Sequence, residues 1–133
     1  MAKQRKCGQA AKVAAKLLFD GAETEPLGAW QRAVAEIFPD SSSSRDKPCP
    51  RSSFLALCEL GAIKNVRERV YTRSVDNKRY MDLALRALIK EPRLLGDEDQ
   101  LWQIATSPKV IKPNNQIEVL TTLWQEGFVL NPF

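Results

Sequence analysis

Apolar residues recur every three or four positions along most of this chain, a spacing that is typical of amphipathic helices. The pattern predicts six helices, near residues 8–20, 24–38, 51–60, 77–90, 97–105 and 114–124. Glycine or proline follows each of these stretches within three residues, as expected where a helix ends. The predicted fold is therefore mainly α.

Residues 66–73 interrupt the helical pattern. They are rich in β-branched, aromatic and arginine residues, which favours a short extended arm or a hairpin. A helix, a glycine turn and a basic arm in this order also suit a winged-helix-like arrangement. Residues 40–50 have turn composition and are predicted to form a surface loop, and residues 1–7 are predicted to be flexible.

The length and composition favour one globular domain over residues 1–133. Hydrophobic residues make up 44% of the chain and charged residues 27%, a balance that supports a buried core. No apolar run reaches the roughly 20 residues that span a bilayer, so no membrane segment is predicted. The sequence alone does not indicate an oligomeric state.

The cysteine and histidine content excludes several kinds of site. The chain has three cysteines and no histidine, which leaves no zinc-ligand pattern, no Ser-His-Asp triad and no Cys-His pair. Glycine-rich phosphate loops and dinucleotide fingerprints are also missing. We therefore predict free thiols, a cytoplasmic location, and neither a metal nor a cofactor.

Positive charge is concentrated in the middle of the chain. Residues 41–80 contain nine Lys or Arg residues against four Asp or Glu residues, whereas residues 21–40 contain one against four. This distribution is expected of a protein that meets an anionic partner with one face. An uneven but merely solvated surface is the alternative interpretation.

The first candidate site lies around residues 41–51. It combines Ser41–Ser44, Arg45, Lys47 and Arg51 with the start of a helix that we predict to begin near Ser52. The unpaired N–H groups at a helix start, together with guanidinium and hydroxyl donors, favour binding of a phosphate or a carboxylate. A capped helix preceded by a solvated loop would need no ligand.

The second candidate site is the arm and the start of the next helix. Basic residues lie on both sides of Tyr71 in this stretch. Such a pattern is typical of a surface that contacts nucleic-acid phosphates. Members of this set are Lys64, Arg67, Arg69, Tyr71, Arg73, Lys78 and Arg79.

Other chemically active residues have simpler explanations. Cys49 has basic neighbours, which is typical of reactive thiols, but no histidine base is present to assist it. Acidic residues near 23–25 and 97–99 lie at predicted helix starts, where the helix dipole accounts for them. Trp30, Trp102 and Trp124 fall on apolar stripes and are predicted to pack in the core.

Two stretches of the chain also carry recognisable motifs. The first contains Phe38-Pro39, Ser43-Ser44-Arg45, Lys47, Cys49-Pro50, Tyr71-Thr72-Arg73-Ser74 and Asn77-Lys78, and the second contains Asn114, Gln116, Leu123-Trp124 and Gly127. These motifs resemble a family of small bacterial single-domain proteins that is a domain of unknown function. Members of that family tend to have a histidine before the asparagine, where this chain has Pro113.

The resemblance implies one domain and marks polar positions in the same region as the two basic sites. The combined set of predicted anion-binding residues is Ser44, Arg45, Lys47, Arg51, Tyr71, Arg73, Asn77 and Lys78. We interpret the chain as a non-enzymatic binding module, with nucleic acid as the first partner and an acidic protein surface as the second. The alternatives are a protein-interaction or structural adaptor and a small enzyme for a phosphate- or carboxylate-bearing substrate.

Overall fold

The computed structural model describes residues 5–133, in which six helices have nine or more residues. Their bounds are α1 Lys6–Phe19, α2 Pro26–Ile37, α4 Pro48–Glu59, α5 Val75–Lys90, α6 Glu98–Thr106 and α7 Gln116–Gln125. A four-residue helix, α3, spans Ser42–Arg45, and a 3₁₀ helix spans Pro92–Gly96 between α5 and α6. The prediction of a mainly α fold with about six helices is confirmed.

The six longer helices enclose one hydrophobic core. Helix α1 packs on α2 and α7, α5 packs on α4 and α6, and α4 contacts α7. Trp30 stacks on Phe54 with ring centroids 5.4 Å apart, and Tyr80 meets Trp102 edge to face at 5.1 Å. The predicted burial of Trp30 and Trp102 is thus confirmed, while Trp124 is half-buried against the same core.

Helices α4 and α7 end alike, and their ends meet. Gly61 and Gly127 both adopt left-handed backbone conformations, with φ values of 78° and 80°. Beyond these glycines, Ile63 and Val129 form an antiparallel bridge, and Leu130 N–H donates to the Ala62 carbonyl at 2.7 Å. The predicted glycine caps are confirmed, and their pairing ties the carboxyl terminus to the exit of α4.

Residues 40–50 differ from the predicted surface loop. Ser41 caps α3 by accepting a hydrogen bond from Ser44 N–H at 3.2 Å, so the serine run winds into a helical turn. Helix α4 then begins at Pro48, whose fixed φ suits a first helical position. The predicted start near Ser52 is therefore wrong, and Ser53 Oγ donates to the Cys49 carbonyl at 2.8 Å instead of capping.

Residues 66–73 form an irregular connection. The structure shows no strand and no hairpin there, and the Ile63–Val129 bridge is the single β-pairing within residues 5–133. The hairpin and winged-helix alternatives are accordingly not supported, because no second strand pairs with the arm. Helix α5 begins at Val75, two residues earlier than predicted, and Ser74 is its cap.

The beginning of the chain is only partly described. Residues 1–4 lie outside the described residues, so the predicted flexibility of residues 1–7 is addressed only from residue 5 onward. Lys6 and Cys7 belong to α1, and Cys7 is 6% exposed, so the helix starts earlier than predicted. No helix of the described chain is long and apolar enough to cross a membrane.

Gly8 permits the close crossing of α1 over α7. A Cβ atom on Gly8 would lie 2.2 Å from Thr122 Oγ1, 3.0 Å from Thr122 Cβ and 3.2 Å from the Glu118 carbonyl oxygen. We expect Gly8→Ala to lower the free energy of unfolding by on the order of 1–2 kcal/mol in urea titrations, because rotation of Thr122 relieves only the first contact. Gly96→Ala is the matched control, since nothing lies within 4 Å of its Cβ position. Equal unfolding midpoints for the two variants would refute this packing argument.

Candidate anion-binding site

Arg45 lies at the carboxyl-terminal end of α2. Its Nη1 donates to the carbonyls of Phe38 at 2.8 Å and Pro39 at 2.9 Å. These carbonyls lie at the end of the helix and just beyond it, where intrahelical partners run out. Arg45 therefore has a structural role, and within residues 5–133 no hydrogen bond or ion pair joins it to Arg73 or to Cys49.

Glu59 organises the arm. Its Oε1 accepts hydrogen bonds from Tyr71 N–H at 2.8 Å and Thr72 N–H at 3.3 Å, and its Oε2 pairs with Lys78 Nζ at 2.9 Å. Tyr71 OH donates in turn to the Arg67 carbonyl at 2.5 Å. Tyr71 and Lys78, both predicted site residues, thus hold the arm in place.

The pKa of Glu59 reflects this arrangement. Burial acts to raise it, but the hydrogen bonds from Lys78, Tyr71 and Thr72 outweigh that effect and hold the pKa below its usual value. Glu59 is therefore a charged anchor for the arm at neutral pH.

Asn77 lies inside the protein at the start of α5. It is 7% exposed, and its backbone N–H and Nδ2 both donate to Ser74 Oγ, at 3.3 and 3.0 Å. Its Oδ1 is buried and has no hydrogen-bond partner. Asn77 thus reinforces the cap of α5 and does not belong to the exposed surface.

Three arginines of the arm are exposed and free of protein partners. Among residues 5–133, the guanidinium groups of Arg67, Arg69 and Arg73 form no hydrogen bond and no ion pair. We call these three residues the basic arm. Arg51, another predicted cation, is half-buried in the first turn of α4 and likewise lacks an ion pair in the described chain.

Acidic groups lie near part of the basic arm. Arg67 and Arg69 line a cavity of about 320 Å³ together with Glu23 and Glu25. Glu23 is neutralised by Arg32 at 3.0 Å, which leaves Glu25, and Glu68 of the arm itself, as nearby carboxylates without an ion pair in the described residues. The arm therefore keeps a positive excess.

A second polar region forms where the amino-terminal ends of α1, α4, α6 and α7 meet. Arg5, just before α1, makes a bidentate ion pair with Glu98 of α6 at 2.7 and 3.0 Å. Arg5 Nη2 also donates to Thr121 Oγ1 of α7 at 2.9 Å. The hydrogen bond to Glu98 is the main reason that the pKa of Arg5 lies above its usual value.

Glu118 links α7 to α1 and α4. It is 7% exposed, its Oε2 accepts from Gly8 N–H at 2.9 Å, and its Oε1 accepts from Asn115 Nδ2 at 2.9 Å. Asn115 Oδ1 accepts a hydrogen bond from Nζ of Lys47, and Lys47 is the residue that precedes α4. Together these groups form what we call the helix-start network: Arg5, Lys47, Glu98, Asn115, Glu118 and Thr121.

Two cavities flank the helix-start network. One of about 200 Å³ is lined by Arg5, Lys6, Ser44 and Lys47, among others, and one of about 160 Å³ is lined by Glu98, Asp99, Trp102 and Pro113, among others. Ser44 and Lys47 of the first predicted site thus lie at one cavity, whereas Arg67, Arg69 and Tyr71 of the second predicted site lie together at the cavity described above. Pro113 lines the other cavity.

All three cysteine thiols are unpaired. Cys7, Cys49 and Cys58 are free, as predicted from the cysteine count. Burial, with the nearby charge of Glu118, raises the pKa of Cys7 to about 11, and burial also raises the pKa of Cys58. Neither buried thiol is ionised at neutral pH. In the part of the chain that is described, no group of three or more Cys, Asp or Glu residues could hold a metal ion.

Sequence reasoning missed Arg5 and Glu118. Glu118 lies between the apolar residues Ile117 and Val119, and a carboxylate inside an apolar stripe is a signal of a buried, hydrogen-bonded charge. Arg5 gave no such signal, because its partner Glu98 lies far away in the sequence.

Residues 5–133 thus define a small helical domain that presents basic groups at the arm and at the helix-start cavity. By sequence, the chain belongs to a family of unknown function, DUF6979, whose model matches residues 4–130. No curated protein and no solved structure matches the chain. The predicted resemblance to a domain of unknown function is confirmed.

Proposed function

We propose that this protein is a non-enzymatic binding module of the cytoplasm whose basic arm contacts the phosphates of nucleic acid. The observation that carries the proposal is the set of three exposed, unpaired guanidinium groups of Arg67, Arg69 and Arg73. Acidic groups lie near Arg67 and Arg69, but none of the three guanidinium groups forms an ion pair within residues 5–133, so the arm keeps a positive excess for an anionic partner.

The way in which the arm is held supports the proposal. Glu59 fixes the backbone at Tyr71 and Thr72, and Tyr71 fixes the carbonyl of Arg67. A surface whose backbone is held before binding loses less conformational entropy when it binds. The hydrogen bonds of Glu59 and Tyr71 therefore hold the backbone that carries the exposed arginine side chains.

The exposed guanidinium groups of the basic arm favour nucleic acid over an acidic protein surface as the partner. Guanidinium groups suit phosphate oxygens, and backbone-phosphate contacts need only charge and reach. Binding of this kind is independent of sequence and depends steeply on salt.

The proposal is tested with the triple variant Arg67→Ala/Arg69→Ala/Arg73→Ala. Fluorescence anisotropy with labelled single-stranded and duplex DNA and RNA should show affinity at least about tenfold weaker than for the unaltered protein, because three phosphate contacts are lost.

A charge-matched control distinguishes the effect of losing this surface from the effect of lowering the net charge. Lys90→Ala/Lys109→Ala/Lys112→Ala removes the same number of positive charges from exposed lysines that have no ion pair within residues 5–133. We expect the control to bind nearly as well as the unaltered protein. An equal loss in both triple variants, or no binding by the unaltered protein at low salt, would reject the proposal and turn attention to an acidic protein partner.

A further inference from the structure

The cavity of about 200 Å³ beside the helix-start network lies between the start of α1, the end of α2 and helix α3. Its polar lining consists of Arg5, Lys6, Ser44, Lys47, Asn115 and Glu118. A water molecule occupies about 30 Å³ in the liquid, so this cavity has room for a tetrahedral oxyanion with some of its hydration.

Two of its three cations are not neutralised by a carboxylate. Arg5 is paired with Glu98, but the hydrogen-bond partner of Lys47 is the neutral amide of Asn115. Lys6 is exposed, its Nζ lies 5.9 Å from the centre of the Phe38 ring, and it has no ion pair in the described residues. The cavity therefore has an excess of positive charge.

The carboxylate of Glu118 is already engaged. Both of its oxygens accept hydrogen bonds, one from Gly8 N–H and the other from Asn115 Nδ2. Its charge thus serves to fix Asn115, which in turn holds Lys47 beside the cavity.

Ser44 supplies a further donor. Its Oγ accepts a hydrogen bond from Ser41 Oγ at 2.9 Å, which leaves the Ser44 hydroxyl hydrogen available. Ammonium and hydroxyl donors, held around a small space, are the groups that bind compact oxyanions.

We propose that this cavity binds the phosphoryl group of a small molecule, either free phosphate or a phosphate monoester. Lysine acts toward phosphate as a point charge with three donors, and Lys6 and Lys47 both lie at this cavity. The site is separate from the basic arm and does not depend on nucleic-acid binding.

The test is an NMR titration of ¹⁵N-labelled protein, following the Gly8 amide and the Asn115 side-chain amide. Inorganic phosphate, glycerol phosphate and sodium chloride are added in separate series at matched ionic strength. We expect saturable shifts with a phosphate and small linear shifts with chloride. Saturation at lower concentration by inorganic phosphate identifies free phosphate as the ligand, and the reverse order identifies a monoester.

Variants locate the binding. Lys47→Met and Lys6→Met should each weaken the apparent affinity at least about tenfold, since each removes a charge that faces the ligand. Lys109→Met, at an exposed lysine outside the cavity, should leave it unchanged. If Lys47→Met fails to fold, Lys6→Met still decides the question, because Lys6 is exposed and its side chain forms no hydrogen bond among residues 5–133.

Equal, non-saturating NMR shifts in all three titration series would overturn this proposal. A phosphate affinity that is the same in Lys6→Met as in the unaltered protein would also overturn it. The triple variant of the basic arm should bind phosphate normally, so failure of this site and failure of the nucleic-acid proposal are distinguishable.

Discussion

Replacing Glu118 by alanine should lower the free energy of unfolding by about 3 kcal/mol in urea titrations followed by circular dichroism. The variant leaves Gly8 N–H and Asn115 Nδ2 without their acceptor in a region where Glu118 is only 7% exposed. Hydrogen bonds to a charged group contribute about 1.5–3 kcal/mol each, and an unsatisfied buried donor is costly.

Glutamine at this position should cost less than alanine. A glutamine oxygen can still accept from Gly8 N–H, but its NH₂ group then faces Asn115 Nδ2, which is also a donor. Rotation of the Asn115 amide relieves that conflict, but it turns the NH₂ group of Asn115 toward Lys47 Nζ, which is also a donor. The new conflict lies closer to solvent than the first one.

A double-mutant cycle tests this directional argument. Lys47→Met removes the donor that opposes rotation of Asn115, so Glu118→Gln should cost less in the Lys47→Met background than alone. Strict additivity of the two changes would show that the hydrogen bonds do not run in the direction described.

The Glu59→Gln variant should release the arm. Glutamine keeps one acceptor oxygen but loses the charge that holds Tyr71, Thr72 and Lys78. We expect the free energy of unfolding to fall by about 1–2 kcal/mol, because charge-assisted hydrogen bonds are replaced by weaker neutral ones. Hydrogen exchange at the Tyr71 and Thr72 amides should become faster, while the amides of the core helices keep their protection.

The effect of Glu59 should depend on pH in a defined direction. Its pKa is lowered in the folded protein, so its contribution is complete above the unfolded value of about 4.3 and disappears as the pH falls through the folded value. The stability difference between the unaltered protein and Glu59→Gln should therefore shrink below about pH 4.

Glu36→Gln is the control for this experiment. Glu36 is exposed and has no ion pair within residues 5–133, so its variant should show no such pH-dependent difference. A stability difference for Glu59→Gln that stays constant from pH 7 to pH 3 would contradict the anchoring role.

The helices could be predicted from sequence because their signals are local. Gly61 and Gly127 end α4 and α7, Ser74 caps α5, and Asp97 caps α6 by accepting from Gln100 N–H. Each of these interactions joins residues only a few positions apart. The start of α4 was misplaced because a proline is compatible both with a loop and with a first helical turn.

The candidate site was only partly predictable, because its contacts are distant in sequence. Gly8 and Glu118 are separated by 110 positions, and Arg5 and Glu98 by 93. Local patterns identify Lys47 as basic but cannot show that it meets Asn115, 68 positions away. Arg45 was assigned to the site from its guanidinium donors near a predicted helix start and from the family resemblance, and only the folded chain shows that it binds carbonyls at the end of α2.

The most direct test of the proposed function is the salt dependence of nucleic-acid binding. Each phosphate contact contributes roughly 0.9 to the slope of log affinity against log salt on duplex DNA. If Arg67, Arg69 and Arg73 each neutralise one phosphate, their joint replacement by alanine should reduce the slope by about 2.7, while the triple lysine control keeps it. An unchanged slope in the arginine variant would contradict the assignment of the basic arm as the binding surface.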